Sequence, residues 1–199
     1  MKISTAALLA LLTLPAAALA QAVDQKNPPP QPPLRKTPVA SAPRDGTLIS
    51  GAVYLGELAP DFELEASKGP PLKLSATRGH WILLAFSDRK EHLAPLGQIL
   101  APFDSAGIEL LGVCREKTYV LKGFVERDRV RFRMLSDLTG EISAMYGLYD
   151  RLHSSIVPGF FVLDHEGRVR LGLLGRLPAP KEIAILALDT KEGPPPEGP

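Results

Sequence analysis

The chain has 199 residues, 45% of them hydrophobic, with 23 basic and 22 acidic side chains and a formal net charge of +1. That size and apolar content suffice for one globular domain, and so even a charge balance gives no pull toward nucleic acid or an anionic membrane surface. A single cysteine, Cys114, excludes an intramolecular disulfide and any multi-thiolate metal site.

Residues 1–22 read as a secretory signal peptide. Lys2 supplies a short positive region, Ile3 to Leu14 an apolar run, and Pro15 ends that run. Ala18-Leu19-Ala20 fits cleavage before Gln21, and Ala20-Gln21-Ala22 fits cleavage before Val23. The run falls short of the roughly twenty unbroken apolar residues that an anchor needs, so no membrane span is expected after cleavage. No cysteine follows for lipid attachment. The expected destination is the periplasm, the cell envelope or the exterior. Residues 23–50 carry Pro28-Pro29-Pro30-Gln31-Pro32-Pro33, then Pro38 and Pro43, and read as a proline-rich disordered linker. It suits a spacer, or else a ligand for a proline-binding partner. Residues 191–199, ending Gly193-Pro-Pro-Pro-Glu-Gly-Pro199, read as a disordered tail.

Residues 51–190 alternate short apolar runs with helical spacing. Trp81 to Phe86 is a continuous apolar run bounded by Gly79 and by Ser87-Asp88, as a strand buried on both faces would be. Leu93, Leu96, Leu100 and Phe103 recur at helical spacing, with Gly107 placed to cap the end and Pro102 to kink or shorten the helix. Ile108 to Val113 predicts a second strand. Thr118 to Arg127 predicts a helix with Val120, Leu121, Phe124 and Val125 on one side and Thr118 as its N-cap. Asp137 to Tyr146 predicts a third helix, with Ile142 and Met145 inward and Gly147 at its end. Phe160 to Leu163, the turn Asp164-His-Glu-Gly167 and Arg168 to Leu174 predict an antiparallel hairpin, and Pro180 to Leu188 a last helix. Such an order describes an α/β sandwich around a mixed sheet.

Several of these segments resemble one family in order and spacing, over about residues 51 to 188. Ala59-Pro60-Asp61-Phe62-Glu63-Leu64 is similar to the opening of the peroxiredoxins and thiol-specific antioxidant proteins (AhpC/TSA, redoxin). Leu72-Lys-Leu74 with Arg78-Gly79-His80-Trp81, Gly107 to Val113, Leu135-Ser136-Asp137 with Gly140 and Tyr146-Gly147, and Phe161-Val-Leu-Asp164 with Gly167 resemble its later segments. The resemblance implies a thioredoxin-like three-layer sandwich with a mixed central sheet flanked by helices. It also implies antioxidant oxidoreductase activity, no cofactor, and pairing into a homodimer, for which no interface signature is visible.

In the resembled family, P-x-x-x-T-x-x-C follows the first core strand and an arginine precedes the hairpin strand. The thiolate attacks the peroxide O–O bond while threonine and arginine hold the peroxide. Laid on that pattern from Phe86, Asp88 stands for the proline, His92 for the threonine, Pro95 for the cysteine and Pro158 for the arginine. A pyrrolidine ring has no heteroatom with which to attack. The thioredoxin branch carries a cis-proline where Val157-Pro158 stands; that resemblance leaves the bond open between cis and the ordinary trans form.

Cys114 closes the second core strand, on the edge where active-site residues gather in such sheets, and is the candidate displaced redox centre, with Arg115 expected to lower its pKa. The plain alternative is a small buried side chain. Asp88, Arg89, His92 and Pro158 form the candidate binding region, with His92 and Arg89 suited to an anion or small ligand. His80, His92, His153 and His165 are scattered, so no metal site is expected. Arg127 to Arg133 is rich in arginine, but balanced charge and an export signal argue for a solvated helix end and strand, and against nucleic acid. Three functions follow: a non-catalytic redoxin domain that binds a small molecule or protein partner or serves as a scaffold, a thiol peroxidase using Cys114 with an external reductant, and a module that recognises partners through the proline-rich arm.

Overall fold

Strands that are apolar on both sides need cover on both faces, and the chain supplies it. The computed structural model describes residues 53–193; the expected signal peptide and linker, and the tail beyond Gly193, lie outside the described residues. In chain order, β1 (Glu63–Leu64) pairs antiparallel with β2 (Leu72–Lys73), and a 3-10 turn over Leu74–Thr77 leads to β3 (Trp81–Phe86). Next come α1 (Lys90–Leu93), a 3-10 stretch over Ala94–Ile99, α2 (Leu100–Ala106), β4 (Ile108–Cys114), α3 (Thr118–Arg127) and β5 (Arg133–Ser136). The chain continues through α4 (Glu141–Met145), the small hairpin β6 (Tyr149–Asp150) and β7 (Ser155–Ile156), then β8 (Gly159–Leu163), β9 (Val169–Leu174) and α5 (Pro180–Glu192).

The main sheet has the order β5-β4-β3-β8-β9. Strands β3, β4 and β5 are parallel, whereas β8 runs antiparallel to both β3 and β9. Side-chain alternation assigns the two faces. Leu83, Ala85, Leu110, Cys114, Phe160 and Val162 point to one core, covered by Leu93, Leu96, Phe103, Leu121, Phe124 and Ile183 from the helical stretches. Ile82, Leu84, Phe86, Leu111, Val113, Phe161 and Leu163 point to the other, covered by Phe62, Leu72, Leu74, Tyr146 and Ile156. Each fully buried side chain of this size contributes about 1.5–3 kcal/mol of transfer free energy. The mixed sheet with cover on both sides is the three-layer sandwich expected.

Several local expectations are corrected. The helix after β3 is broken into α1, a 3-10 stretch and α2; Pro95 lies at the start of the 3-10 stretch and Pro102 in the first turn of α2, where its missing N–H breaks no intrahelical bond. Gly107 does cap α2, in the left-handed region at φ 65°. Thr118 is the first residue of α3 and not its cap, which falls on Lys117 and makes no side-chain bond. The third helix is only Glu141–Met145, because Asp137 folds its carboxylate back onto the N–H groups of Ile142 and Ser143 (3.3 and 2.8 Å). Met145 faces solvent and Ser143 is buried in its stead. Lys191 and Glu192, expected in the tail, extend α5, and the Lys191 ammonium donates to the Ala106 carbonyl at the end of α2.

Candidate functional site

Where β3 and β4 end side by side, the chain leaves the sheet through Ser87, Asp88 and Arg89. Phe86 pairs with Val113, and the Ser87 N–H donates to the Val113 carbonyl at 3.1 Å, so the register holds one residue past the strand. Ser87 is fully buried. Its hydroxyl accepts from the Arg89 N–H (3.4 Å) and lies 3.2 Å from Nδ1 of His92, whose ring is thereby held at the mouth of α1. Asp88 accepts the Ile156 N–H at 3.1 Å, tying this loop to β7 two residues before Pro158. The structure thus gathers Asp88, Arg89, His92 and the Pro158 segment at one end of the sheet. Among the described residues no peptide bond is cis, so Val157–Pro158, left open between cis and trans by the sequence, is trans. The β6–β7 hairpin packs Ile156 and Val157 into the core beside it and leaves the chain extended into β8.

Cys114 closes β4 on the helical side of the sheet and has no solvent exposure. Its carbonyl accepts from the N–H groups of Glu116 and Asp137, both at 3.0 Å. Burial pushes the thiol up to about 12; Glu116 adds to that rise, and Lys90 works against it. The expected lowering by Arg115 is corrected: that guanidinium stacks over the Tyr149 ring, 5.9 Å from its centroid. Over the same region the Lys90 ammonium joins Glu116 at 2.7 Å and Glu91 at 3.2 Å, and sits 5.7 Å from the centroid of Phe124. The hydrogen bond to Glu116 is the main cause that raises the Lys90 pKa, so Lys90 stays a cation. Pro95 is exposed one turn along from His92.

Sequence reasoning missed Ser87, which it read only as a polar strand boundary, and the Lys90–Glu116 pair, which joins residues 26 apart. A serine directly after an apolar strand was the one signal available for the first; no local pattern announces the second. In the arginine-rich stretch, Arg127 pairs with Asp128 at 2.7 Å and Arg133 with Glu109 at 2.5 Å, which uses two of its charges locally. Among the described residues no group of three or more His, Cys, Asp or Glu side chains converges as a metal site would, and no helix is long and apolar enough to cross a membrane.

A mixed sheet with these crossings, and a helix that opens beside the hairpin strand at one sheet edge, defines the thioredoxin-like class. Residues 55–171 match the model of the AhpC/TSA family, and the chain belongs to that family. It is 30% identical over 130 residues to peroxiredoxin 2 of Thermoplasma acidophilum, a match covering 58% of this chain and 64% of that protein. It is 28% identical over 140 residues to a peroxiredoxin of Thermoplasma volcanium, covering 59% of this chain and 64% of that one. The chain therefore spans somewhat less than two thirds of the length of these relatives. Among solved structures, Enterococcus faecalis AhpC superposes with a TM-score of 0.64 at 16% identity, over 69% of this chain and 92% of that one, a likeness of fold.

Proposed function

We propose that this protein is an exported, non-catalytic member of the AhpC/TSA family that binds a small molecule or a protein partner, or serves as a scaffold, through the region around Asp88, Arg89, His92 and Pro158. One observation carries the reading. Laid on the family's motif from Phe86, the reactive-cysteine position falls on Pro95, and the chain's one cysteine, Cys114, is fully buried with its thiol pushed up to about 12. A nucleophilic thiol must reach both the thiolate state and the substrate, and burial opposes both. Export rests on the signal pattern of residues 1–22, and the arm over residues 23–50 supplies the spacer.

A second reading has its own support: the relatives are named peroxiredoxins, and Cys114 stands at the strand edge beside the candidate region. In that case Cys114 is oxidised by peroxide and an external thiol restores it, since the chain has no second cysteine to resolve it. Peroxide consumption by the purified protein with dithiothreitol, wild type beside Cys114→Ala, separates the two. Equal background rates support the first reading. Turnover by wild type that vanishes in Cys114→Ala overturns it. Deleting residues 23–50 tests the remaining possibility that the proline-rich arm does the recognising, since only then would partner capture be lost.

A further inference from the structure

The arginine-rich stretch has no part in the candidate region; the structure folds it into the turn between α3 and β5. The helix ends at Arg127 and the strand begins at Arg133. Val130 and Phe132 are buried in the core on the helical side of the sheet, so Arg129 and Arg131, which alternate with them, are left outside and exposed. From there β5 runs parallel to β4 and comes level with Cys114 at Ser136, on the edge that holds the candidate region. The turn therefore lies at the opposite edge of the sheet.

A third cation is brought to the same turn from a distant part of the chain. Lys68 is also exposed, and its ammonium donates to the Val130 carbonyl at 2.7 Å, across 62 residues. That carbonyl belongs to the residue between Arg129 and Arg131, so the three charges share one turn. Arg129 adopts φ 53°, a left-handed state in which glycine or asparagine is the usual occupant. Arginine gains nothing from that backbone; what it adds there is charge on the outside.

The carboxylates that pair within this stretch are taken by its other two arginines. Asp128 joins Arg127 at 2.7 Å, and Glu109 joins Arg133 at 2.5 Å. Glu126, exposed on the last turn of α3, is bonded to none of the three cations, and neither Arg129 nor Arg131 forms a hydrogen bond or ion pair with any described residue. The whole chain is nearly neutral, but charge is screened within about 8 Å at physiological ionic strength, so a surface touching the turn feels this cluster and not the total. Val130 and Phe132 point inward, and the turn exposes no large apolar side chain that could enter a bilayer. Contact there is electrostatic, and three long cations on an exposed turn suit an array of phosphates.

We propose that the cluster of Lys68, Arg129 and Arg131 docks the domain on an anionic lipid surface, with lipid phosphates against the three side chains and the region around Asp88 and His92 facing away from that surface. The inference stands apart from the proposed function and does not depend on whether Cys114 reduces peroxide.

The test is co-sedimentation of the full chain with vesicles of phosphatidylcholine, alone or mixed with phosphatidylglycerol. The readout is the gain in affinity from neutral to anionic vesicles, so that any apolar contribution of residues 1–22 cancels. Each of Lys68→Gln, Arg129→Gln and Arg131→Gln should cut that gain about fivefold, and the triple variant should lose nearly all of it, as should the wild type in high salt. Arg129→Lys combined with Arg131→Lys should keep the gain, because a lipid surface reads charge and not the guanidinium fork. Lys181→Gln, at the start of α5, should leave it unchanged. All these side chains are exposed, and an unaltered circular dichroism spectrum reports folding. Equal binding of the wild type to both vesicles, an undiminished gain in the triple variant, or loss of the gain in the double lysine variant would overturn the proposal. So would release by inorganic phosphate at constant ionic strength, which marks a single-phosphate site, or tighter binding to a duplex oligonucleotide than to anionic vesicles, which marks a nucleic-acid surface.

Discussion

The Tyr146 hydroxyl donates to the backbone carbonyl of Pro60 across 2.8 Å, joining points 86 residues apart. Its ring meanwhile packs edge-on or tilted against Phe62, Phe86 and Phe161, with centroids 6.1, 5.2 and 5.3 Å away. Two of the segments that resemble the family, Ala59 to Leu64 and Tyr146-Gly147, are thus one physical unit, an aromatic stack closed by a hydrogen bond. Burial is the main reason the phenol's pKa is raised, so it stays a donor at any working pH. Tyr146→Phe should cost about 1–2 kcal/mol by leaving the Pro60 carbonyl without its partner. Tyr146→Ala should cost about 3–5 kcal/mol by opening a cavity. Urea denaturation reads both; equal midpoints for Tyr146→Phe and wild type would show that water replaces the bond.

How much of this was legible depended on what each residue's neighbours in sequence could reveal. Ile82 to Phe86 and Phe160 to Leu163 announced doubly buried strands, because an apolar side chain at every position leaves no face for water. Met145 misled because a five-residue helix is too short for periodicity to define a face. Thr118 misled because Lys117 already carries the extended backbone of a cap. At the candidate site, Asp88, Arg89 and His92 are neighbours along the chain, so their proximity was visible in the sequence, whereas the Asp88–Ile156 bond spans 68 residues and has no local signature. Nor could the sequence tell the state of the Cys114 thiol, which follows from helices packed over it.

Gly159 offers a sharper test of how the sheet meets this site. A Cβ there would come within 2.6 Å of the Leu173 carbonyl oxygen and 2.9 Å of a Leu148 methyl. The first of these is backbone in the neighbouring strand, so it cannot swing aside. Gly159→Ala should therefore part β8 from β9 next to Pro158 and destabilise the domain by about 1–3 kcal/mol, the usual range for overpacking. Thermal unfolding measures the loss. A midpoint unchanged from wild type would mean that the two strands are looser than their register implies.

Acid should weaken the β6–β7 hairpin through Asp150. The His153 ring, with Nδ1 2.5 Å from the carboxylate, is the main cause that holds the Asp150 pKa below its ordinary 3.8; backbone N–H groups of His153 and Leu152 add to it against burial. A carboxylate lowered in the folded state contributes stability above the unfolded value and loses it as pH falls through the lower folded one. Asp150→Asn should accordingly flatten the acid limb of the stability curve below about pH 4. Because His153 is 76% exposed, added salt should shrink the difference between the two proteins. Parallel acid limbs for wild type and Asp150→Asn at low salt would refute the coupling.

Cys114 makes the opposite prediction at the alkaline end. Its thiol is raised from 9.0 to about 12, chiefly by burial, so the folded protein keeps a proton that the unfolded chain releases. Stability from this group is complete below pH 9, declines as pH rises, and is lost by about pH 12. The slope is about 1.4 kcal/mol per pH unit, on the order of 4 kcal/mol across the window. Other groups titrate there as well, so the measurement is the difference between wild type and Cys114→Ala: the variant should lose stability less steeply above pH 9, from a slightly lower start caused by the missing sulfur. The same burial sets reactivity. Native protein at mild alkaline pH should leave a colorimetric disulfide reagent almost untouched, while denatured protein should titrate one thiol at once. Prompt reaction of the native chain, together with parallel alkaline limbs, would mean that the helices open readily over Cys114 and would return the thiol to contention as a nucleophile.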